Sequence, residues 1–284
     1  MIISIASGKG GTGKTTVAVN FALSLKDVQF LDCDVEEPNA HLFLKPIISE
    51  EKKAYIPIPE VDEGKCNYCG QCRDVCAYNA LAVFPAKDDK KGHWLLFQNL
   101  CHGCGACRLL CPQGAIKEVD KEIGRIGIGQ SYDIQFIHGR LNIGEAMSPP
   151  LIRQVKQHIN PTKTVIIDAP PGTSCPVITT VKGSDYCILV TEPTPFGLND
   201  LILAVEVLRK LQIPFGVVIN RADLGDSGVE KYCEREGIPI LMRIPFSKKI
   251  AVLYSTGIPI VQEDPSYKEK FVRLFEHICQ TYKL

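Results

Sequence analysis

The chain has 284 residues, 45% of them apolar, and its 32 basic and 32 acidic side chains cancel to a formal charge of zero. That length suits one large domain or two ordinary ones around a sizeable core, and the balance excludes a disordered chain. Nothing in it draws the chain to nucleic acid by bulk electrostatics, and no apolar run approaches the roughly 20 residues needed to span a bilayer. With the first strand read from the N-terminus no signal peptide is expected, and eight of the thirteen cysteines fall in two clusters. Clustering argues for metal ligation in a reducing compartment, so the expected location is the cytoplasm.

Ile2 to Ala6 reads as a strand, and Val17 to Leu25 has helical spacing. Between them stands Gly8-Lys9-Gly10-Gly11-Thr12-Gly13-Lys14-Thr15-Thr16, a full match to GxxxxGK[ST]. Strand, glycine loop and helix, in that order, make a phosphate-binding loop. The glycines let successive N–H groups turn inward as an anion nest, and the helix adds its positive N-terminal end. Lys14 is placed to reach the β- and γ-phosphates of ATP, and the Thr15 hydroxyl to bind Mg²⁺. Lys9 is a second lysine that an ordinary phosphate loop does not need.

These nine residues resemble the deviant Walker A of the MinD/ParA superfamily, which includes the nitrogenase iron protein and the Mrp-type iron-sulfur carriers. The resemblance implies a protein that dimerises around ATP. Lys9 would cross the interface to the phosphates of the other subunit, either a second copy or a paralogue. Val28 to Asp32 reads as a second buried strand, and Asp32-Cys33-Asp34-Val35-Glu36-Glu37-Pro38-Asn39 resembles switch I of the same ATPases. By that resemblance Asp34 lies beside the γ-phosphate, the attacking water and Mg²⁺, where a carboxylate can orient or deprotonate water. Cys33 reads as core. Residues 46 to 64, with Pro46, Pro57, Pro59 and Gly64, read as connection.

Two cysteine runs follow: Cys66-x2-Cys69-x2-Cys72-x3-Cys76 and, 35 residues on, Cys101-x2-Cys104-x2-Cys107-x3-Cys111-Pro112. The repeat extends beyond the cysteines, pairing Gly70 with Gly105, Arg73 with Arg108, and Ala80-Leu81 with Ala115-Ile116. Structural zinc sites usually pair two Cys-x2-Cys arms rather than run three cysteines together, and disulfides are rare in the cytosol. The duplicated unit looks like a bacterial two-cluster ferredoxin. That likeness implies two [4Fe–4S] clusters, one on Cys66, Cys69, Cys72 and Cys111, the other on Cys101, Cys104, Cys107 and Cys76. Ala77 stands after Cys76 where the pattern often has proline.

Residues 118 to 147 alternate in polarity as strands or a hairpin, and Ser148-Pro149-Pro150 opens a helix reaching about Ile159. Thr164 to Asp168 is a buried strand, and with Ala169-Pro170-Pro171-Gly172 it resembles Walker B and switch II. Asp168 would hold Mg²⁺ through a water, and Gly172 would lie near the γ-phosphate. Cys175 follows at the offset where the nitrogenase iron protein carries a cluster cysteine; with no second candidate, it reads as a packed thiol or a transient ligand for a client. Strands from Tyr186, Phe215 and Ile240 complete a parallel sheet covered on both faces. Asn220, Arg221, Pro245 and Phe246 stand at strand ends that surround the adenine in the family. The terminal helix, about Ser266 to Tyr282, carries an apolar stripe without a basic excess, so it is expected to pack on the core and not to anchor in a membrane. Cys187, Cys233 and Cys279 read as small buried hydrophobes.

The expected fold is α/β, a mostly parallel sheet of the P-loop kind over residues 1–58 and 118–284, with residues 59–117 inserted as an α+β ferredoxin domain. The expected activity is ATP hydrolysis coupled to electron transfer to a redox partner. The alternative is delivery of an iron-sulfur cluster or metallocofactor to a client.

Overall fold

The computed structural model describes residues 1–87 and 91–282. In chain order the elements are β1 (Ile2–Ala6), α1 (Lys14–Ser24), β2 (Val28–Asp32), α2 (His41–Leu44), β3 (Ile47–Val61), α3 (Gln71–Asp74), β4 (Leu81–Phe84), β5 (His93–Leu96), α4 (Ala106–Leu109), β6 (Ile116–Ser131), β7 (Ile134–Leu141), α5 (Pro149–Lys156), β8 (Thr164–Asp168), α6 (Cys175–Val181), β9 (Tyr186–Thr191), α7 (Pro195–Lys210), β10 (Phe215–Asn220), α8 (Gly228–Glu236), β11 (Ile240–Ile244), α9 (Lys248–Ser255), α10 (Ile260–Glu263) and α11 (Pro265–Tyr282). The chain divides into two compact units, residues 1–52, 126–140 and 151–284, and residues 53–125 and 141–150. The second unit is wider than residues 59–117 on both sides.

The main sheet runs β11-β10-β9-β1-β8-β2-β7-β6-β3. Strand pairs from β11 through β7 are parallel. β2 and β9 are buried along their whole length, and β9 is apolar almost throughout, as a covered parallel sheet requires. The order β1-β8-β2 matters most for function. It sets Ile5 beside Asp168 and Asp168 beside Asp32, so three carboxyl ends meet where the loop after β1 begins.

Helix α11 settles the terminal stripe. Tyr267, Phe271, Leu274 and Ile278 are buried, and Phe271 and Phe275 pack on Phe21 of α1 with ring centroids 6.1 and 6.2 Å away. Each such burial contributes about 1.5–3 kcal/mol, so the stripe is spent on the core. No helix among the described residues is long and apolar enough to cross a membrane. Cys33, Cys187 and Cys233 are buried as expected, whereas Cys279 is only half-buried.

Residues 46 to 64 depart from the expected connection. Residues 47–61 form one long strand, β3, despite Pro57 and Pro59. Within it Ala54, Ile56 and Ile58 are buried while Tyr55 and Pro57 are exposed, a period of two. β3 closes one end of the sheet order, and an edge strand tolerates proline because its outer N–H groups need no partner.

The second unit is built on the repeat. Its two short helices, α3 and α4, each begin after a left-handed glycine, Gly70 (φ 85°) and Gly105 (φ 76°). The other left-handed positions also recur at the same offset: Tyr68 (φ 56°) with Gly103 (φ 63°), and Asn79 (φ 52°) with Gly114 (φ 55°). Two copies of one backbone path therefore follow each other. The antiparallel pair β4–β5 sets Val83 opposite Trp94.

Candidate functional site

The loop after β1 is shaped by glycines no other residue would replace cheaply. Gly11 (φ 80°) and Gly13 (φ 88°) are left-handed, and Gly13 caps α1 while its carbonyl accepts from Val17 N–H at 3.0 Å. The loop lines a cavity of about 420 Å³. Lys9, Gly10, Gly11, Gly13, Lys14, Thr15 and Thr16 face it, as do Asp34, Asn220, Arg221, Pro245 and Phe246. Apolar walls come from Ile250, Ala251 and Tyr254. Gly8, Thr12 and Gly172 stand back from the lining; Gly172 N–H donates to Ser7 O at 2.9 Å.

At the cavity floor the charges are tightly paired. Lys14 Nζ donates to Asp168 Oδ1 at 2.6 Å and lies 3.7 Å from Asp34 Oδ2. Thr15 Oγ1 donates to Asp168 Oδ2 at 2.7 Å. Asp32 is fully buried and holds the turn instead of the ligand, accepting from Asp34 N–H and Ala40 N–H, each at 3.1 Å. Burial lowers the pKa of Lys14, but Asp168 and Asp34 more than offset this and raise it. Burial first, then the neighbouring Asp168 charge, push Asp32 up to about 8. Burial likewise pushes Asp34 up to about 6 against the pull of Lys14, close to the range in which a carboxylate acts as a base near neutral pH.

Asp34 and Asp168 share the single charge of Lys14, and a divalent cation would neutralise the excess negative charge they leave. Thr15 Oγ1 and Asp168 are hard oxygen donors of the kind Mg²⁺ takes alongside phosphate. Two further groups await partners, since Thr12 Oγ1 and Asn39 Oδ1 are buried with none among the described residues. The site therefore fits a Mg²⁺–nucleotide.

Some of these residues also make contacts within the chain that spacing does not predict. Asn220, expected at the adenine, lines the cavity, but its amide donates to Thr12 O at 2.9 Å and braces the phosphate loop. Lys9 Nζ lies 3.7 Å from Glu192 Oε2, and Arg221 Nη1 donates to Glu192 Oε1 at 2.6 Å. Glu192, at the end of β9, was invisible to motif reading because it belongs to no loop signature. Cys175 is exposed and opens α6.

In the second unit the eight clustered cysteines fall into two groups of four. Cys66, Cys69, Cys72 and Cys111 line one cavity, and Cys76, Cys101, Cys104 and Cys107 line another. Each group takes three cysteines from one run and the last from the other. All eight are free thiols. Backbone amides turn toward the sulfurs: Tyr68 N–H donates to Cys66 Sγ at 3.4 Å, Ala80 to Cys76 Sγ at 3.3 Å and Ala115 to Cys111 Sγ at 3.4 Å. Burial pushes the Cys72 and Cys101 thiols up, and Cys107 to about 11. Among the described residues no three His, Cys, Asp or Glu side chains approach closely enough to share a single metal ion. A cubane makes a different demand, because each thiolate binds its own iron and the four stand apart around the core.

Residues 3–260 match the family described as the CobQ/CobB/MinD/ParA nucleotide binding domain. An uncharacterized protein of Methanocaldococcus jannaschii is 30% identical over 98% of this chain and 96% of its own length. An iron-sulfur cluster carrier protein of Pyrococcus horikoshii is 26% identical over 99% of this chain and 86% of its own. Among solved structures, the septum site-determining protein MinD of Pyrococcus horikoshii, complexed with Mg-ADP, aligns with a TM-score of 0.59 at 21% identity, covering 98% of this chain and 95% of that one. With the loop, the carboxylates and this match in hand, the chain belongs to the CobQ/CobB/MinD/ParA nucleotide-binding family.

Proposed function

We propose that this is an ATP-hydrolysing iron-sulfur protein in which nucleotide state governs electron transfer to a partner. The observation that carries the reading is the sorting of eight cysteines into two cavities, three of one run with the last of the other in each. That interleaving is how a two-cluster ferredoxin holds its clusters, and it supports reading residues 59–117 as a ferredoxin-like core. Two [4Fe–4S] clusters supply one-electron redox chemistry when bound. The chain's own residues hold the thiolates, donate amide N–H groups to sulfur, and bind ATP and Mg²⁺ at Lys14, Thr15, Asp34 and Asp168. Anaerobically purified protein should contain about eight irons per chain and show two reducible clusters by EPR. Stoichiometric zinc without a cluster signal would sink the reading.

We also place Lys9 in a dimer formed on ATP, a role that the resemblance to the family supports. Lys9→Ala should leave nucleotide affinity within about threefold, because Lys14 keeps its own phosphate contacts, yet abolish the ATP-dependent dimer seen by sedimentation. A variant that still dimerises removes Lys9 from the interface.

A second reading, delivery of a cluster to a client, is favoured by relatives named iron-sulfur cluster carrier proteins and by the exposed Cys175. Loading with ⁵⁷Fe separates the two. A carrier passes label to an apo acceptor, and Cys175→Ser slows that passage if its thiol is the transient ligand; an electron-transfer protein keeps the label.

A further inference from the structure

Three strand ends meet beside the phosphate loop. β1 leads into Lys9, Glu192 follows β9 and Arg221 follows β10, and β9 pairs with β1 on one side and with β10 on the other. The Glu192 side chain is only 10% exposed, so its carboxylate needs a counter-charge from the protein. Two cations supply it. Arg221 Nη1 donates to Oε1 at 2.6 Å, whereas Lys9 Nζ lies 3.7 Å from Oε2, beyond hydrogen-bonding distance. The arginine is the bonded partner, and the lysine contributes charge alone.

The backbone around this pair is held in place. Ser7 Oγ donates to Lys9 O at 2.8 Å, and a Cβ on Gly8 would collide with the Asp200 carbonyl, which seats the loop directly on α7. Arg221 stands in left-handed backbone (φ 52°), and its N–H donates to Asn220 Oδ1 at 3.0 Å. Movement is left to the Lys9 side chain, which is 33% exposed.

We infer that Glu192 is a latch for Lys9, holding the lysine within its own chain while Arg221 makes it releasable, so that the balance of the two ion pairs sets how readily the ATP-bound dimer forms. The inference rests on the crossing of Lys9 proposed above. To reach phosphates in a second subunit, Lys9 must give up Glu192. A contact within the chain competes with one across the interface, and dimerisation is weakened by the strength of the first. Were Lys9 the sole counter-charge, its departure would strand a desolvated carboxylate. With Arg221 bonded to the other oxygen, the carboxylate stays compensated and the lysine can leave. A pair of this separation and exposure retains its lysine by about fivefold, and a symmetric dimer crosses two.

The two cations call for variants with opposite effects. Full-length protein is sedimented with Mg²⁺ and a non-hydrolysable ATP analogue at saturation, so that a change in nucleotide affinity at the cavity-lining Arg221 does not register. Glu192→Gln keeps an acceptor for Arg221 and releases Lys9, so the dimer should tighten by about fivefold for each lysine that crosses. Arg221→Gln leaves Glu192 to Lys9, and the dimer should weaken by at least as much. The double variant should tighten again, because without the carboxylate the arginine has nothing to share. A mere brace of the strand ends behaves otherwise: each single change loosens the dimer and the double change loosens it further. Where Lys9→Ala abolishes the analogue-dependent dimer, a Glu192→Gln dimer that is unchanged or weaker, or a double variant as weak as Arg221→Gln, overturns the latch. Wild-type protein that forms no such dimer, or a dimer that Lys9→Ala leaves intact, overturns the crossing beneath it.

Discussion

Lys14→Met is expected to remove ATP binding and to weaken the empty protein at the same time. Lys14 is 7% exposed and bonded to Asp168 at 2.6 Å, with Asp34 at 3.7 Å. Removing the cation leaves Asp34 and Asp168 together without a counter-charge. Breaking a buried pair from one side costs about 3–5 kcal/mol, and urea unfolding should register a loss of that order. The same truncation deletes a desolvated contact to phosphate, for which a cost of about 2–5 kcal/mol corresponds to roughly 30-fold to a few thousand-fold in affinity. Calorimetric titration with ATP·Mg²⁺ measures it. A variant that binds ATP normally would show that the cavity takes its phosphates elsewhere.

Asp34→Asn should separate binding from hydrolysis. Asp34 is 9% exposed and pushed up to about 6, chiefly by burial, so its carboxylate is poised to take a proton near neutral pH. Asparagine preserves its shape and cannot act as a base. Single-turnover phosphate release should fall by about 10²–10⁴-fold while ATP affinity changes little. Asp32 provides the contrast: its carboxylate holds the amides of Asp34 and Ala40, so Asp32→Asn should act on the turn itself and lower affinity and rate together.

The fold was legible wherever local pattern and tertiary demand coincide. Ile2–Ala6, the glycine loop and α1 form one continuous signal, and Asp168 ends an apolar run that can only be a buried strand. Residues 47–61 were not legible, because proline argues against a strand until one knows that the strand lies at an edge. Glu192 was hidden for another reason: it lies far along the chain from Lys9 and meets it only because β9 pairs with β1. Asn220 stood out as a residue of interest, but its grip on Thr12 O depends on the depth of the loop, which spacing does not encode. The cysteines announced the repeat.

The bond from Lys14 to Asp168 also makes the phosphate loop an exchange site rather than an open receptor. An arriving phosphate must evict a carboxylate, and a simple oxyanion without a metal leaves that displaced carboxylate uncompensated. A nucleotide with its metal does not, because the metal draws Asp168 and Thr15 toward itself as the phosphates take Lys14. The two newcomers lower each other's barrier to entry. Metal and nucleotide should therefore be strongly synergistic, and stray sulfate or inorganic phosphate should be poor competitors for a loop that resembles, on paper, a general anion trap.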